Sequence, residues 1–332
     1  MTPFLSRLTA AGAVLEPLRQ AGEEVTLEWD TSITGPILGD QILVALPDLH
    51  LSDGGSGDVF VGVGSGARAR MERLLRALVA AKASFPRTRV VQLGDLYDVW
   101  RAYPKLQGQL PERATYELID KQYSEILDLL LNQLRARVCV GNHDAILALF
   151  PPFWARTADN KPTGQLACSH LFGSGRVLAF HGHQDKAVGE AMTALGGTGV
   201  VKLMTMAATL SAPLSQGLQQ TFDLAAEFFE DPTPSLFDGH WRMADPPAGA
   251  TGFSSPRWCD RNHREKLALL ASRHPQAANL RLLLVGHSHC PGISMTEVQG
   301  RAVPLIDVGS WVQGKSQIAI AEEGRLTVYT VL

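Results

Sequence analysis

Short apolar runs in this chain end abruptly in polar groups. Residues 42–46 read ILVAL and stop at Pro47-Asp48-Leu49-His50. Residues 89–93 read RVVQL and stop at Gly94-Asp95, and residues 137–140 read RVCV and stop at Gly141-Asn142-His143-Asp144. Residues 176–180, RVLAF, run into His181-Gly182-His183, and residues 281–285, RLLLV, into Gly286-His287-Ser288-His289. Runs this short, rich in Val and Leu, predict buried strands. Residues 303–308, 317–321 and 326–331 predict closing strands, while 67–83 and 112–134 carry the apolar spacing of helices. Strands alternating with helices imply an α/β fold whose sheet is covered on both faces. In such folds ligand sites gather just beyond the strand ends. Here each of the first five ends carries polar or ionisable groups, so they can converge in one place.

Other stretches organise the rest. At the N-terminus, Phe4, Leu5, Leu8, Val14, Leu15 and Leu18 can share one helix face. Residues 1–40 are therefore expected to form an extension packed on the domain, with membrane contact as the alternative. Residues 187–230 have helical character, and 231–258 are rich in Pro, Gly and aromatics. Residues 187–262 are expected to form an inserted, mainly helical cap within a single domain spanning 1–332; a helical layer with no substrate role is the alternative. The Gly-rich segment 53–66 reads as a rim loop. It follows the first polar motif rather than a first strand–helix turn, which argues against a dinucleotide cradle.

Composition narrows the function. The 332 residues carry a formal net charge of −3. A protein held to nucleic acid by a broad basic face must neutralise many phosphates, so no nucleic-acid partner is expected. The first twenty residues lack the apolar block of a signal peptide. No stretch approaches the roughly 18 uninterrupted apolar residues of a membrane span. The four cysteines form no CxxC pair, so a reducing cytoplasm is the expected location, with peripheral contact at the inner membrane face as a variant. Cys139 lies in an apolar run and is expected in the core.

Six of the ten histidines lie in the polar motifs: His50, His143, His181, His183, His287 and His289. With Asp48, Asp95 and Asn142 they form a set that a purely structural role explains poorly, because burying unpaired carboxylates together is costly. Cations remove that cost. Imidazole with carboxylate and amide oxygen, and no thiolate, suits Mn, Fe, Zn or Co rather than Ca. Manganese is the leading expectation, with iron or zinc as alternatives. Phosphatases and nucleases commonly use two such ions, about 3.5–4 Å apart.

Asp-x-His, Gly-Asp-x-x-Asp, Gly-Asn-His-Asp, a later His and Gly-His-x-His, in this order, resemble the calcineurin-like metallophosphoesterase superfamily. The resemblance implies a β-sandwich of mixed sheets flanked by helices. It implies hydrolysis of a phosphomonoester, phosphodiester or pyrophosphate bond, by in-line attack of hydroxide generated between two divalent or trivalent ions. By motif, Asp48, His50 and His289 would bind the first ion and Asn142, His181 and His287 the second, with Asp95 bridging both. His143 would face the leaving group without binding metal, and Asp98 would orient it; a helix N-terminal cap is the alternative reading of Asp98. His183 would support the ligands from behind rather than bind an ion, and Asp144 would either do the same or act as a cap.

Asp48-Leu49-His50-Leu51 together with Gly94-Asp95-Leu96-Tyr97-Asp98-Val99-Trp100 also resembles the UDP-2,3-diacylglucosamine pyrophosphatase branch, which implies a lipid–nucleotide substrate. The chain departs from that branch at His143, where Arg is often found, and at His183, where an acidic residue is common. The Asp-Arg-Gly of the protein Ser/Thr phosphatase branch is absent. Arg101, Lys105, Arg156, Lys186, Arg257, Arg261 and Arg264 could grip substrate phosphates, though solvated surface charge is the plain alternative for each. A scaffold that kept the fold and lost turnover is the reading from another class; here every ligand position of the motifs is filled.

Overall fold

The structure is a computed structural model that describes residues 2–20, 22–34, 36–54, 58, 60, 66–98, 111–141, 143, 147, 152–159, 161–182, 253–254, 261–312, 314–322 and 324–332. In chain order, its strands begin with β1 (Leu15–Pro17), β2 (Arg19–Gln20), β3 (Glu23–Glu24), β4 (Thr26–Trp29), β5 (Ile42–Leu46) and β6 (Thr88–Gln92). They continue with β7 (Arg137–Cys139), β8 (Leu166–Ala167), β9 (Ser169–Phe172), β10 (Val177–Phe180) and β11 (Phe253–Ser254). The last five are β12 (Leu282–Val285), β13 (Gly292–Val298), β14 (Arg301–Asp307), β15 (Gln317–Glu322) and β16 (Arg325–Val331). The first sheet runs β11-β4-β16-β15-β5-β6-β7-β8, with β1 also paired to β16. The second runs β13-β14-β12-β10-β9, and β2-β3 is a small ribbon.

Alternation along the strands builds three apolar layers. Leu43 and Ala45 of β5, Val91 of β6 and Ala319 of β15 point inward, where they meet Ala179 of β10 and Leu284 of β12. Cys139 lies fully buried in this interior. The alternate residues Val44, Leu46 and Val90 face outward against helices α1 (Pro3–Ala10) and α3 (Ala67–Ser84). On the far side, Leu178, Leu283 and Leu305 meet Leu267 and Ala271 of the Arg261–Arg273 helix. The result is two mixed sheets face to face with helices outside. Strands β5, β6, β7 and β8 run parallel, as do β10, β12 and β14. Strands buried on both faces read as continuous apolar runs, which is why all of these but the short, partly buried β8 were visible in the sequence.

Two elements differ from the sequence expectation. Helix α1 stops at Ala10, and Gly12 follows at φ +98°, a conformation that ends a helix cheaply in glycine. Only Phe4 and Leu8 of α1 are buried; Leu15 instead starts β1 and pairs with Val331. The stretch 112–134 divides into a helix at Pro111–Gln122, a turn at Ser124–Leu127 and a π-helical segment at Asp128–Gln133. Most of 187–262 lies outside the described residues; within it, Phe253–Ser254 pairs with β4. Among the described residues, no helix is long and apolar enough to cross a membrane.

Candidate metal centre

The C-terminal ends of parallel strands from both sheets meet at one edge of the sandwich. The turn after β5 supplies Asp48 and His50, and the turn after β6 supplies Asp95 and Asp98. The segment after β7 supplies His143, the end of β10 supplies His181, and the turn after β12 supplies His287 and His289. Hydrogen bonds lock the turns together. The Leu49 and His50 N–H groups donate to the Asp95 carbonyl at 3.1 and 2.8 Å, and the Trp311 N–H donates to the Asp48 carbonyl at 2.9 Å.

Asp48 and Asp95 are buried, at 0% and 1% exposure, with nearly all of the water that would solvate a carboxylate excluded. Asp48 Oδ2 lies 3.1 Å from His289 Nε2 and accepts from the His287 N–H at 3.0 Å. Asp95 Oδ2 lies 3.1 Å from His181 Nε2 and 3.7 Å from His50 Nε2, so one oxygen faces two imidazoles, one from each sheet. Asp95 Oδ1 accepts from the His143 N–H at 2.8 Å. Burial pushes the Asp95 carboxyl upward, but His181, His143 and His50 together outweigh it and hold it well below the usual carboxylate range. Burial also lowers the His50 pKa, aided by His143 and opposed by Asp98 and Asp95. The neutral imidazole this favours is the form that binds metal.

The ring nitrogens test whether ions fit. His50 Nε2 lies 3.3 Å from His289 Nε2, and His287 Nδ1 lies 3.1 Å from His181 Nε2. Metal–nitrogen bonds of about 2.0–2.1 Å place neighbouring ligand nitrogens at about that separation. Ligand-type atoms of Asp48, His50 and His289 lie within 4.8 Å of one another, as do those of Asp95, His181 and His287. His181 Nδ1 contacts the Leu93 carbonyl at 3.0 Å, a bond that fixes the ring and leaves Nε2 for a ligand role. The residues present therefore fit a pair of ions.

Of the expected site residues, the structure brings together Asp48, His50, Asp95, Asp98, His143, His181, His287 and His289. Asp98 Oδ1 lies 3.3 Å from His143 Nδ1, and its Oδ2 lies 3.5 Å from His50 Nδ1, so the carboxylate serves two imidazoles rather than one. His143 also falls in a close group with His50 and Asp95, an arrangement in which it could itself reach an ion. Asn142, Asp144, His183, Arg101 and Arg257 lie outside the described residues, as does the side chain of Arg261. Arg264 is half-buried on the Arg261–Arg273 helix and joins none of the cluster's contacts among the described residues.

Two features of the site were not read from the sequence. Seven non-glycine residues among those described have positive φ, and four are His50, Asp95, His287 and His289. Each such residue costs about 1–3 kcal/mol and concentrates at functional sites. The second is the close approach at the glycine before three of the five motifs. A Cβ on Gly94 would sit 2.6 Å from the His181 ring, one on Gly286 2.3 Å from Asp48 Oδ1, and one on Gly141 2.0 Å from Asp95 Oδ1. The repeated Gly at the strand ends was the signal available: it marks where a carboxylate or imidazole presses on backbone. Gly141→Ala is expected to displace Asp95 and lower kcat by about 100-fold, the scale of a 1 Å misplacement. Steady-state kinetics with metal analysis check this, since metal content should fall with kcat.

No curated protein matches the chain. Among solved structures, a dimetal phosphatase from Danio rerio is similar at 15% identity, with a TM-score of 0.37, covering 88% of this chain and 96% of that one. The family description "calcineurin-like phosphoesterase" matches residues 43–291, which is more than half of the chain. The chain belongs to the calcineurin-like phosphoesterase family.

Proposed function

We propose that this metal-dependent phosphoesterase hydrolyses a phosphomonoester, phosphodiester or pyrophosphate bond at ions held by Asp48, His50 and His289 on one side and Asn142, His181 and His287 on the other, with Asp95 between. The observation that carries the reading is Asp95 Oδ2, which lies 3.1 Å from the His181 imidazole of one ligand group and 3.7 Å from the His50 imidazole of the other. When bound, such ions acidify water to make the nucleophile and neutralise charge at phosphorus. The chain's own residues do the rest. Asp98, at 3.3 Å from His143 Nδ1, orients that ring and leaves Nε2 to meet the substrate. His143 then stabilises charge on phosphoryl oxygen and protonates the leaving oxygen. The ligand set without thiolate favours manganese, with iron or zinc as alternatives.

Within that class, the Asp48–Leu51 and Gly94–Trp100 motifs support a lipid–nucleotide pyrophosphate as a second, narrower reading. The test is chelation followed by repletion with Mn²⁺, Fe²⁺ or Zn²⁺. Turnover of bis(p-nitrophenyl) phosphate, p-nitrophenyl phosphate and nucleotide diphosphate sugars and lipids is then compared. Restored turnover is expected. Two bound ions with no turnover of any compound would overturn the reading in favour of a scaffold.

A further inference from the structure

Strand β6 ends in an unusual residue for its place. Val90 faces the outer helices and Val91 the sandwich interior, yet the next position, Gln92, is an amide with 0% exposure. An apolar side chain would fill that position without desolvating a polar group, and a buried amide is tolerated only when hydrogen-bonded. Gln92 is bonded through both ends. Its Nε2 donates to the Gly94 carbonyl at 2.5 Å and to the Pro47 carbonyl at 3.3 Å, and its Oε1 accepts from the Gly94 N–H at 3.0 Å.

The partners are what give these bonds meaning. Pro47 immediately precedes Asp48, and Gly94 immediately precedes Asp95. Both carboxylate-bearing turns leave adjacent parallel strands, β5 and β6, and the ladder between those strands ends at the Leu46–Gln92 pair. Beyond that pair, the Leu93 N–H still donates to the Leu46 carbonyl at 2.8 Å. Gly94 then turns away at φ +107°. Where the regular ladder stops, a side-chain amide therefore adds to the bonds that the Leu49 and His50 N–H groups donate to the Asp95 carbonyl in holding the two turns together.

We propose that Gln92 is a positioning residue that sets the spacing of Asp48 and Asp95, and through it the spacing of the two ions. This rests on the reading of both carboxylates as ligands. Among the described residues Gln92 hydrogen-bonds no ligand atom; it acts through the backbone of the residue before each carboxylate.

The test compares wild type with Gln92→Met, which removes all three bonds at similar volume, and Gln92→Glu, which keeps an acceptor for the Gly94 N–H. Expected for Gln92→Met is a 10- to 100-fold weaker affinity for Mn²⁺, of about the size seen for groups that orient ligands. The paramagnetic resonance signal of coupled manganese should weaken relative to that of isolated manganese at equal occupancy. The loss should fall on kcat with KM nearly unchanged, and Gln92→Glu should lie between. If Gln92→Met does not fold, Gln92→Glu alone decides. Wild-type affinity and coupling in a folded variant would overturn the proposal, even if its melting temperature fell. Failure of the wild-type chain to bind a pair of ions would overturn the ligand assignment and this proposal together.

Discussion

Asp95→Ala is expected to empty both ion positions and lower turnover by about 10³-fold or more; loss of one preorganised electrostatic group alone costs about 10²–10³. The reason is the place of Asp95 between the halves of the cluster. Its Oδ2 faces His50 and His181, which come from different sheets, and its Oδ1 accepts the His143 N–H. Removing the carboxylate leaves His50 and His143 facing Asp98 and His181 facing Asp48, without the anion that all three imidazoles share. Elemental analysis checks the claim, with metal per chain falling from two toward zero. A variant that kept both ions and most of its turnover would remove Asp95 from the role of bridge.

His143→Ala carries the second large effect. Turnover is expected to fall by about 10²–10⁴, the range for a positioned acid–base group. Metal content should stay near two per chain. The loss should be greater for substrates with alkyl leaving groups than for p-nitrophenyl compounds, because p-nitrophenolate needs little help from a proton. The same measurement settles an ambiguity in the geometry. His143 sits near enough to His50 and Asp95 to reach an ion. If the variant loses metal as well as turnover, His143 is a ligand and its pairing with Asp98 serves that purpose instead.

The sequence exposed the parts of this fold that depend on local pattern. Strand β5 was legible at its observed bounds because all five of its residues are apolar. The candidate ligands were legible because polar groups directly after buried strands have few structural uses. What depends on distant partners was hidden. Leu15 looked helical beside Phe4 and Leu8, but pairing with Val331 draws it into a sheet. Strand β13 carries Ser294, Thr296 and Glu297 and lacks the apolar run that marked its neighbours. Nothing local tells that the Gln92 amide bonds to both turns, or which carboxylate Gly141 lies against. The mixed sheets flanked by helices agree with the family fold, and the motif order alone pointed to that family.

The two ligand groups have a further consequence. Each draws on both sheets: Asp48 and His50 from the first with His289 from the second, and Asp95 from the first with His181 and His287 from the second. Ions bound there would fasten one open edge of the sandwich, much as a crosslink would. An ion that binds only the folded chain adds about 2.7 kcal/mol of stability when present at 100 times its dissociation constant. The tightness of that edge would then follow the surrounding metal concentration. The same fastening would offset the cost of holding His50, Asp95, His287 and His289 in backbone conformations they would otherwise avoid.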